Sequence, residues 1–343
     1  MKKYLLPFLA CLALALTARA ELYLYTDLGT LSSYTILQPT GINNSGIIVG
    51  TAYENTGGGR PMAFKYTSGT INLFASPGPA HSAWGNAVNA GGTLAGFCDR
   101  TGSILHGFYV APGALYGADF DSDFTRNSQA VSINDYNYVV GTASSQPFIG
   151  HTGGWMALLG STVGNSFSPR GINNNFEIVG NGVFGGMVYN AWTGAITFLG
   201  TALGDYSNQA GAINQSGTVA GKVGTTGYLY AGGDVSYFGY GISEVKSINA
   251  AADVVGVTTG GHGFVYIRST GHFLDLNSVL PASVAATWTI VSATGINDGG
   301  VICGQSRRLS TAADVPYPGM YVYSAYKLSP FVLHVPIGFA PTP

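Results

Sequence analysis

Charge is scarce in this chain. Lys and Arg number 14 and Asp and Glu 16 among 343 residues, so charged side chains make up only 9%. A nucleic-acid partner needs a basic stripe to displace counterions, and none is present. Cysteine is scarcer still, at three, which excludes a disulfide-dense scaffold and any zinc centre built from cysteine thiolates alone. The six histidines include none with a second ligand at a zinc-like spacing. No Gly-x-Ser-x-Gly elbow, phosphate-binding loop or dinucleotide fingerprint occurs, so neither a catalytic set nor a cofactor is expected. After the first twenty residues no apolar run is long enough to span a bilayer as a helix, so no transmembrane segment is expected.

The one long apolar run, Tyr4 to Leu16, follows Lys2-Lys3 and precedes Ala18-Arg19-Ala20. That order of basic, apolar and small-x-small segments predicts a signal peptide over 1–20, cleaved near Ala20, and a secreted or periplasmic product. Cleavage would take three of the 14 basic residues and none of the 16 acidic ones, leaving a net charge of −5. Mature Cys98 and Cys303 could pair in an oxidising compartment, but they occupy different positions in distant repeats, and two small buried side chains are the expected reading.

Gly, at 51 residues, and Tyr, at 21, are abundant, and one phrase organises them. Gly41-Ile42-Asn43-Asn44-Ser45-Gly46-Ile47-Ile48-Val49-Gly50 returns six more times, centred on Asn89, Asn134, Asn173, Asn214, Asn249 and Asn297. Ile or Val always precedes the Asn, and Gly, Ala or Ser precedes that residue. Every copy ends in Gly: Gly50, Gly96, Gly141, Gly180, Gly221, Gly256 and Gly304.

The phrase reads as strand, tight turn, strand. Asn suits the first corner of a type I turn, because its side-chain oxygen reaches backbone N–H groups further on. The seven Asn residues are therefore expected to cap turns rather than touch a ligand. Left-handed backbone at the fourth corner favours Gly, supplied by Gly46, Gly92, Gly217 and Gly300, with Asn137 the next best. Phe176 and Ala252 break that rule and predict either another turn type or strain.

Adjacent apolar pairs in the second strand, such as Ile48-Val49 and Val254-Val255, point to opposite faces, so both faces must be covered. The close backbone approach this implies calls for Gly. Successive Asn residues lie 46, 45, 39, 41, 35 and 48 apart. A period in the forties with four strands per unit predicts an all-β fold, a seven-bladed β-propeller with four antiparallel strands per blade. It would occupy residues 21–335 as one domain, with 336–343 as a C-terminal tail. The segment Leu22–Thr30 matches a fourth strand (Leu28-Gly29-Thr30 against Leu199-Gly200-Thr201), and predicts that an N-terminal strand closes the ring. Tyr326–Val335 competes for the same place.

The Ile-Asn-x-x-Gly-x-x-Val-Gly phrase and Asp27-Leu28-Gly29-Thr30-Leu31 resemble the HAF family of bacterial exported repeat proteins over about the whole mature chain. Its name-giving His-Ala-Phe triplet is nearest in Met62-Ala63-Phe64, His106-Gly107-Phe108, Gln146-Pro147-Phe148 and His262-Gly263-Phe264. The resemblance implies an extracellular address and a repeat architecture, without an established activity.

Asp119-Phe120-Asp121-Ser122-Asp123 is the one local cluster of carboxylates. Alternating Asp can collect Ca²⁺, yet an EF-hand loop would need Gly and Glu where Phe124 and Ala130 stand; a solvated loop is expected. The resulting functional expectation is an exported non-catalytic binding or scaffold module for a carbohydrate or surface protein, for which the loop residues Trp84, Trp155 and Trp192 supply stacking faces. The alternative is a glycan lyase or hydrolase, which would need two carboxylates, or a carboxylate with His or Tyr, converging on the channel.

Overall fold

A computed structural model describes residues 23–31, 34–54, 59–75, 82–99, 104–120, 127–310 and 321–330. The signal-peptide expectation over 1–20 and the tail beyond 335 lie outside these residues.

Seven four-stranded antiparallel sheets stand as blades around an axis. Blade 1 runs from an inner strand, Tyr34–Ile42, through Ile48–Glu54 and Met62–Thr67 to an outer strand, Thr70–Phe74. The inner strands of blades 2 to 6 are Ala83–Val88, Ser128–Ile133, Ser168–Ile172, Gln209–Ile213 and Ile242–Ile248. Blade 7 takes Thr289–Ile296, Ile302–Leu309 and Tyr321–Pro330 from the end of the chain, and its outer strand, Tyr23–Asp27, from the beginning. Tyr23 faces Pro330 and Asp27 faces Tyr326 in that pairing. Tyr326 thus belongs to a long third strand, and the fourth place goes to the N-terminal segment. Closure of this kind leaves the last blade without an open third-strand edge. Tyr25 Oη and Ser306 Oγ, 3.0 Å apart, fasten it, as does the Leu28 N–H, which donates to the Ala325 carbonyl at 3.0 Å.

The paired aliphatics do what their adjacency predicts. Ile48 packs with Cys303 and Ala325 of blade 7, and its neighbour Val49 with Ala83, Leu94 and Phe108 of blade 2. Val254 faces blade 5, through Ala220 and Leu229, while Val255 faces blade 7, through Ile290 and Ile302. Each such side chain, fully buried, contributes about 1.5–3 kcal/mol of transfer free energy. The core is therefore a ring of inter-blade layers.

Every inner strand carries a register shift at the same repeat position, between Pro39 and Gly41 in blade 1 and between Ala293 and Gly295 in blade 7, and the inner strands of blades 1, 6 and 7 carry a second one nearer their start. The bulge explains the seven invariant glycines. Gly50 lies opposite Pro39, where a Cβ would come within 2.1 Å of the Gln38 carbonyl oxygen; at Gly141 the distance to the Gln129 oxygen would be 1.9 Å. An aromatic ring fills the space that the missing Cβ leaves, Phe64 over Gly50 and Phe148 over Gly141. Blade 4 has Met187 at that register position, and Phe167 covers Gly180 instead.

Candidate functional site

Antiparallel order puts the turns joining the first to the second strand of every blade, and those joining the third to the fourth in blades 1 to 6, at the same end. The Asn turns therefore form one face around the axis. In each turn the fourth residue donates its N–H to the Asn carbonyl, as Gly46 does to Asn43 at 3.0 Å. Each Asn Oδ1 accepts from the N–H four residues on, at 2.8–3.0 Å. Its Nδ2 then donates to the main-chain carbonyl of the matching Asn in the next blade. Asn43 bonds to Asn89, Asn89 to Asn134, Asn134 to Asn173, Asn173 to Asn214, Asn214 to Asn249, Asn249 to Asn297 and Asn297 back to Asn43, at 3.0–3.2 Å. All seven Asn side chains are buried. The amide joins, on two separate atoms, an acceptor for its own turn to a donor for its neighbour.

The residue after each Asn forms a second, exposed row. Asp135 Oδ1 accepts from Ala90 N–H at 2.8 Å, Asn174 Oδ1 from Asp135 N–H at 2.9 Å, and Gln215 Oε1 from Asn174 N–H at 2.8 Å. Asp298 Oδ1 accepts from Ala250 N–H at 2.8 Å, and Asn44 Oδ1 from Asp298 N–H at 2.9 Å. Ala90 and Ala250 carry no acceptor, which interrupts the row at two joints. The second oxygens of Asp135 and Asp298 accept from Asn174 Nδ2 and Asn44 Nδ2 at 2.8 and 2.6 Å.

Inside this rim lies a channel of about 300 Å³. The bulges aim their extra residues at it: Thr40, Asn86, Val131, Arg170, Lys246 and Thr294 all line it. Thr40 Oγ1 donates to the Gly85 carbonyl at 2.9 Å and Asn86 Nδ2 to the Ala130 carbonyl at 2.6 Å, both across a blade joint. Arg170 and Lys246 both reach Glu244, at 4.0 and 2.7 Å. The channel is thus mixed in character: aliphatic and hydroxyl walls, two cations shared with one carboxylate, and two rim carboxylates held by backbone.

A different kind of surface lies on the same face at blades 3 and 4. Tyr138 makes edge contacts with Trp155 at 5.7 Å, Phe176 at 4.8 Å and His151 at 5.0 Å between ring centres. Phe176 stacks on Tyr136 at 6.1 Å and 7° and meets Trp192 at 5.9 Å. Trp192 is 81% exposed, Tyr136 58% and Trp155 44%. The turn under Phe176 is the same as in the other blades, since its N–H donates to the Asn173 carbonyl at 3.2 Å, but φ is +59°. Ala252 behaves alike at +62°. The rule-breaking residues are therefore strained members of the common turn, and a ring at such a φ is the costlier of the two.

Of the other sequence candidates, Trp155 and Trp192 join this cluster, whereas Trp84 lies on the inner strand of blade 2, half-buried and stacked on Phe97 at 4.8 Å. Asp119, on the outer strand of blade 2, accepts from the Cys98 thiol at 3.7 Å; Asp121 and Asp123 lie outside the described residues. Among the described residues no three His, Cys, Asp or Glu side chains gather closely enough to hold a metal. No disulfide joins Cys98 and Cys303, both buried; burial pushes the Cys303 thiol up to about 12. His106 is buried, whereas His262 is half-exposed and bonds Asp275 at 2.7 Å through Nδ1. The bulge residues and Tyr136 were invisible as a group in the sequence. Phe176 was visible only as a broken rule.

No protein-family model and no curated protein matches the chain. Solved structures do match, at low identity. A streptogramin B lyase superposes with a TM-score of 0.59 at 10% identity, over 90% of this chain and 98% of that one. The extracellular domain assigned to a one-component system of B. thetaiotaomicron gives 0.52 at 10%, over 88% of this chain and 39% of that one. A puromycin-hydrolyzing peptidase of Mycobacterium tuberculosis gives 0.51 at 11%, over 84% and 55%. At such identities the likeness defines the class, a seven-bladed β-propeller, and nothing about chemistry. Among the described residues, no helix is long and apolar enough to cross a membrane.

Proposed function

We propose that the protein is an exported, non-catalytic binding module that presents its turn face to a cell-surface or extracellular partner. The observation that carries this reading is the concentration of exposed aromatic rings on that face at blades 3 and 4, held by a rigid circle of amides. Its exported address rests on the signal-like segment at 1–20 and on the resemblance to HAF repeats. The extracellular setting of one structural relative is compatible with it.

The glycan lyase or hydrolase reading would need carboxylates in the channel free to exchange protons. Asp135 and Asp298 instead have both oxygens bonded to neighbouring turns, which supports a structural role for them.

Cell fractionation and co-sedimentation test the proposal. The protein should leave the cytosol, and the exported protein should pellet with intact cell envelopes. Retention in the cytosol, or a supernatant that keeps all of it, overturns the reading.

A further inference from the structure

We propose that the aromatic cluster of blades 3 and 4 is a sugar-binding platform, taking a neutral pyranose glycan against Tyr136, Trp155 and Trp192. This deepens the binding-module reading and rests on it. The class of occupant follows from charge, area and strain.

The patch offers no fixed positive charge. His151 Nδ1 accepts from the Gly153 N–H at 2.8 Å, and its Nε2 lies 3.1 Å from the Tyr136 carbonyl. The carboxylates next to it in the chain, Asp135 and Glu177, accept from Asn side chains, and their negative charge stands against an anionic ligand. Among the described residues the ring contacts of the patch include no Lys or Arg. An anionic glycan or a phosphate would therefore find no counter-charge. A neutral sugar needs none, because its face of C–H bonds meets the electron-rich face of an aromatic ring.

The area is small. An aromatic side chain offers roughly 150–250 Å² when wholly covered, and these three are only partly exposed, so together they fall well short of the ~800 Å² per partner of a stable protein interface. A few sugar rings fit that scale.

Strain is the independent observation. Four of the seven turns place Gly where Phe176 stands, and φ of +59° is unfavourable for a bulky side chain. What the chain gains there is a ring that touches Tyr136, Tyr138 and Trp192 together and fixes their mutual orientation. Rings ordered before binding lose less entropy when a ligand arrives.

The test is a fluorescence titration of the whole exported protein with cellohexaose, chitohexaose and mannohexaose, with polygalacturonate as the anionic comparison. At least one neutral hexasaccharide should shift the tryptophan emission. Trp192→Ala should weaken that binding at least tenfold, and Tyr136→Ala by a smaller factor. Neither ring is buried, so both variants should melt within a few degrees of the parent. No shift with any neutral hexasaccharide at millimolar concentration overturns the proposal, as does binding that survives Trp192→Ala unchanged. If envelopes still retain the protein in either case, the binding-module reading stands and only the sugar platform falls. Polygalacturonate binding that is indifferent to Trp192→Ala, without a neutral ligand, overturns the platform in the same way.

Discussion

The amide circle makes a quantitative demand on stability. As a simple turn cap, Asn214 would contribute about 0.5–1.5 kcal/mol, the net worth of one hydrogen bond. The structure gives its side chain four. Oδ1 accepts from Ser216 N–H at 3.1 Å, Ser216 Oγ at 2.8 Å and Thr218 N–H at 2.9 Å, while Nδ2 donates to the Asn249 carbonyl at 3.0 Å. In Asn214→Ala, Ser216 is exposed and can turn to water, so its share is small. Thr218 N–H is half-buried and the Asn249 carbonyl lies within the ring, and each loses about 1–1.5 kcal/mol of bonding. The sum is about 2–3 kcal/mol, which lowers the melting temperature by roughly 3–5 °C for a domain of this size.

Urea and thermal unfolding of purified protein measure this. Asn214→Asp separates the two roles, since it keeps the acceptor of the turn but loses the donor to blade 6 and sets a carboxylate oxygen against a carbonyl. A loss below about 1 kcal/mol in Asn214→Ala would refute the ring as a stabilising element. Loss of envelope binding at an unchanged melting temperature would refute the structural assignment altogether. Asn297→Ala, which removes the bond from blade 7 to blade 1, should cost a similar amount, because the joints are chemically alike.

A chain beginning at Tyr34 lacks the outer strand of blade 7 and re-exposes what Tyr23 and Leu28 cover, so it should lose at least ~4 kcal/mol; an unchanged urea midpoint would show that the strand does not close the ring. Gly141→Ala places a methyl 1.9 Å from the Gln129 carbonyl oxygen, and overpacking the bulge should cost about 3 kcal/mol by urea melts. Lys65 is buried, donating to the Val110 carbonyl at 3.0 Å, and desolvation pulls it down from 10.5 to about 8. Between pH 8 and 10.5 the unfolded chain therefore holds the proton that the folded chain has released. Stability should rise over that window by up to ~3 kcal/mol. Above pH 10 the trend reverses, because burial pushes the Tyr23 and Tyr25 phenols up to about 12 and the unfolded tyrosines ionise first. Lys65→Met should remove the rise and leave the fall, as urea melts at pH 7, 9 and 11 would record.

Much of the fold could be read in advance because its physics is local and repeated seven times. Ile48-Val49 showed that both faces were covered, and Asn43 with Gly46 showed the turn. Leu28-Gly29-Thr30 showed the strand that closes the ring. What escaped was whatever depends on a neighbouring blade. Gly50 signals a close approach, but the bulge that puts the Gln38 oxygen there exists only in the pairing. The residue at each bulge varies freely (Thr40, Val131, Arg170, Lys246), so no pattern marks it as lining the channel. For Asn43 the sequence suggested the acceptor half of the amide, whereas its donor half is spent 46 residues away.

The aromatic platform lies at the same boundary between local and distant information. Tyr136, Phe176 and Trp192 belong to two repeats and to two kinds of turn, and only the wedge-shaped packing of adjacent blades brings them together. One of them nonetheless left a local trace, since Phe176 stands where the turn favours Gly and is held there at positive φ. A repeat protein with seven versions of one phrase provides its own internal comparison. The copies that keep the common residue report what the fold requires. A copy that tolerates strain to keep a different residue marks the place where packing alone does not account for the choice, which is why the sugar titration belongs at this joint before any other.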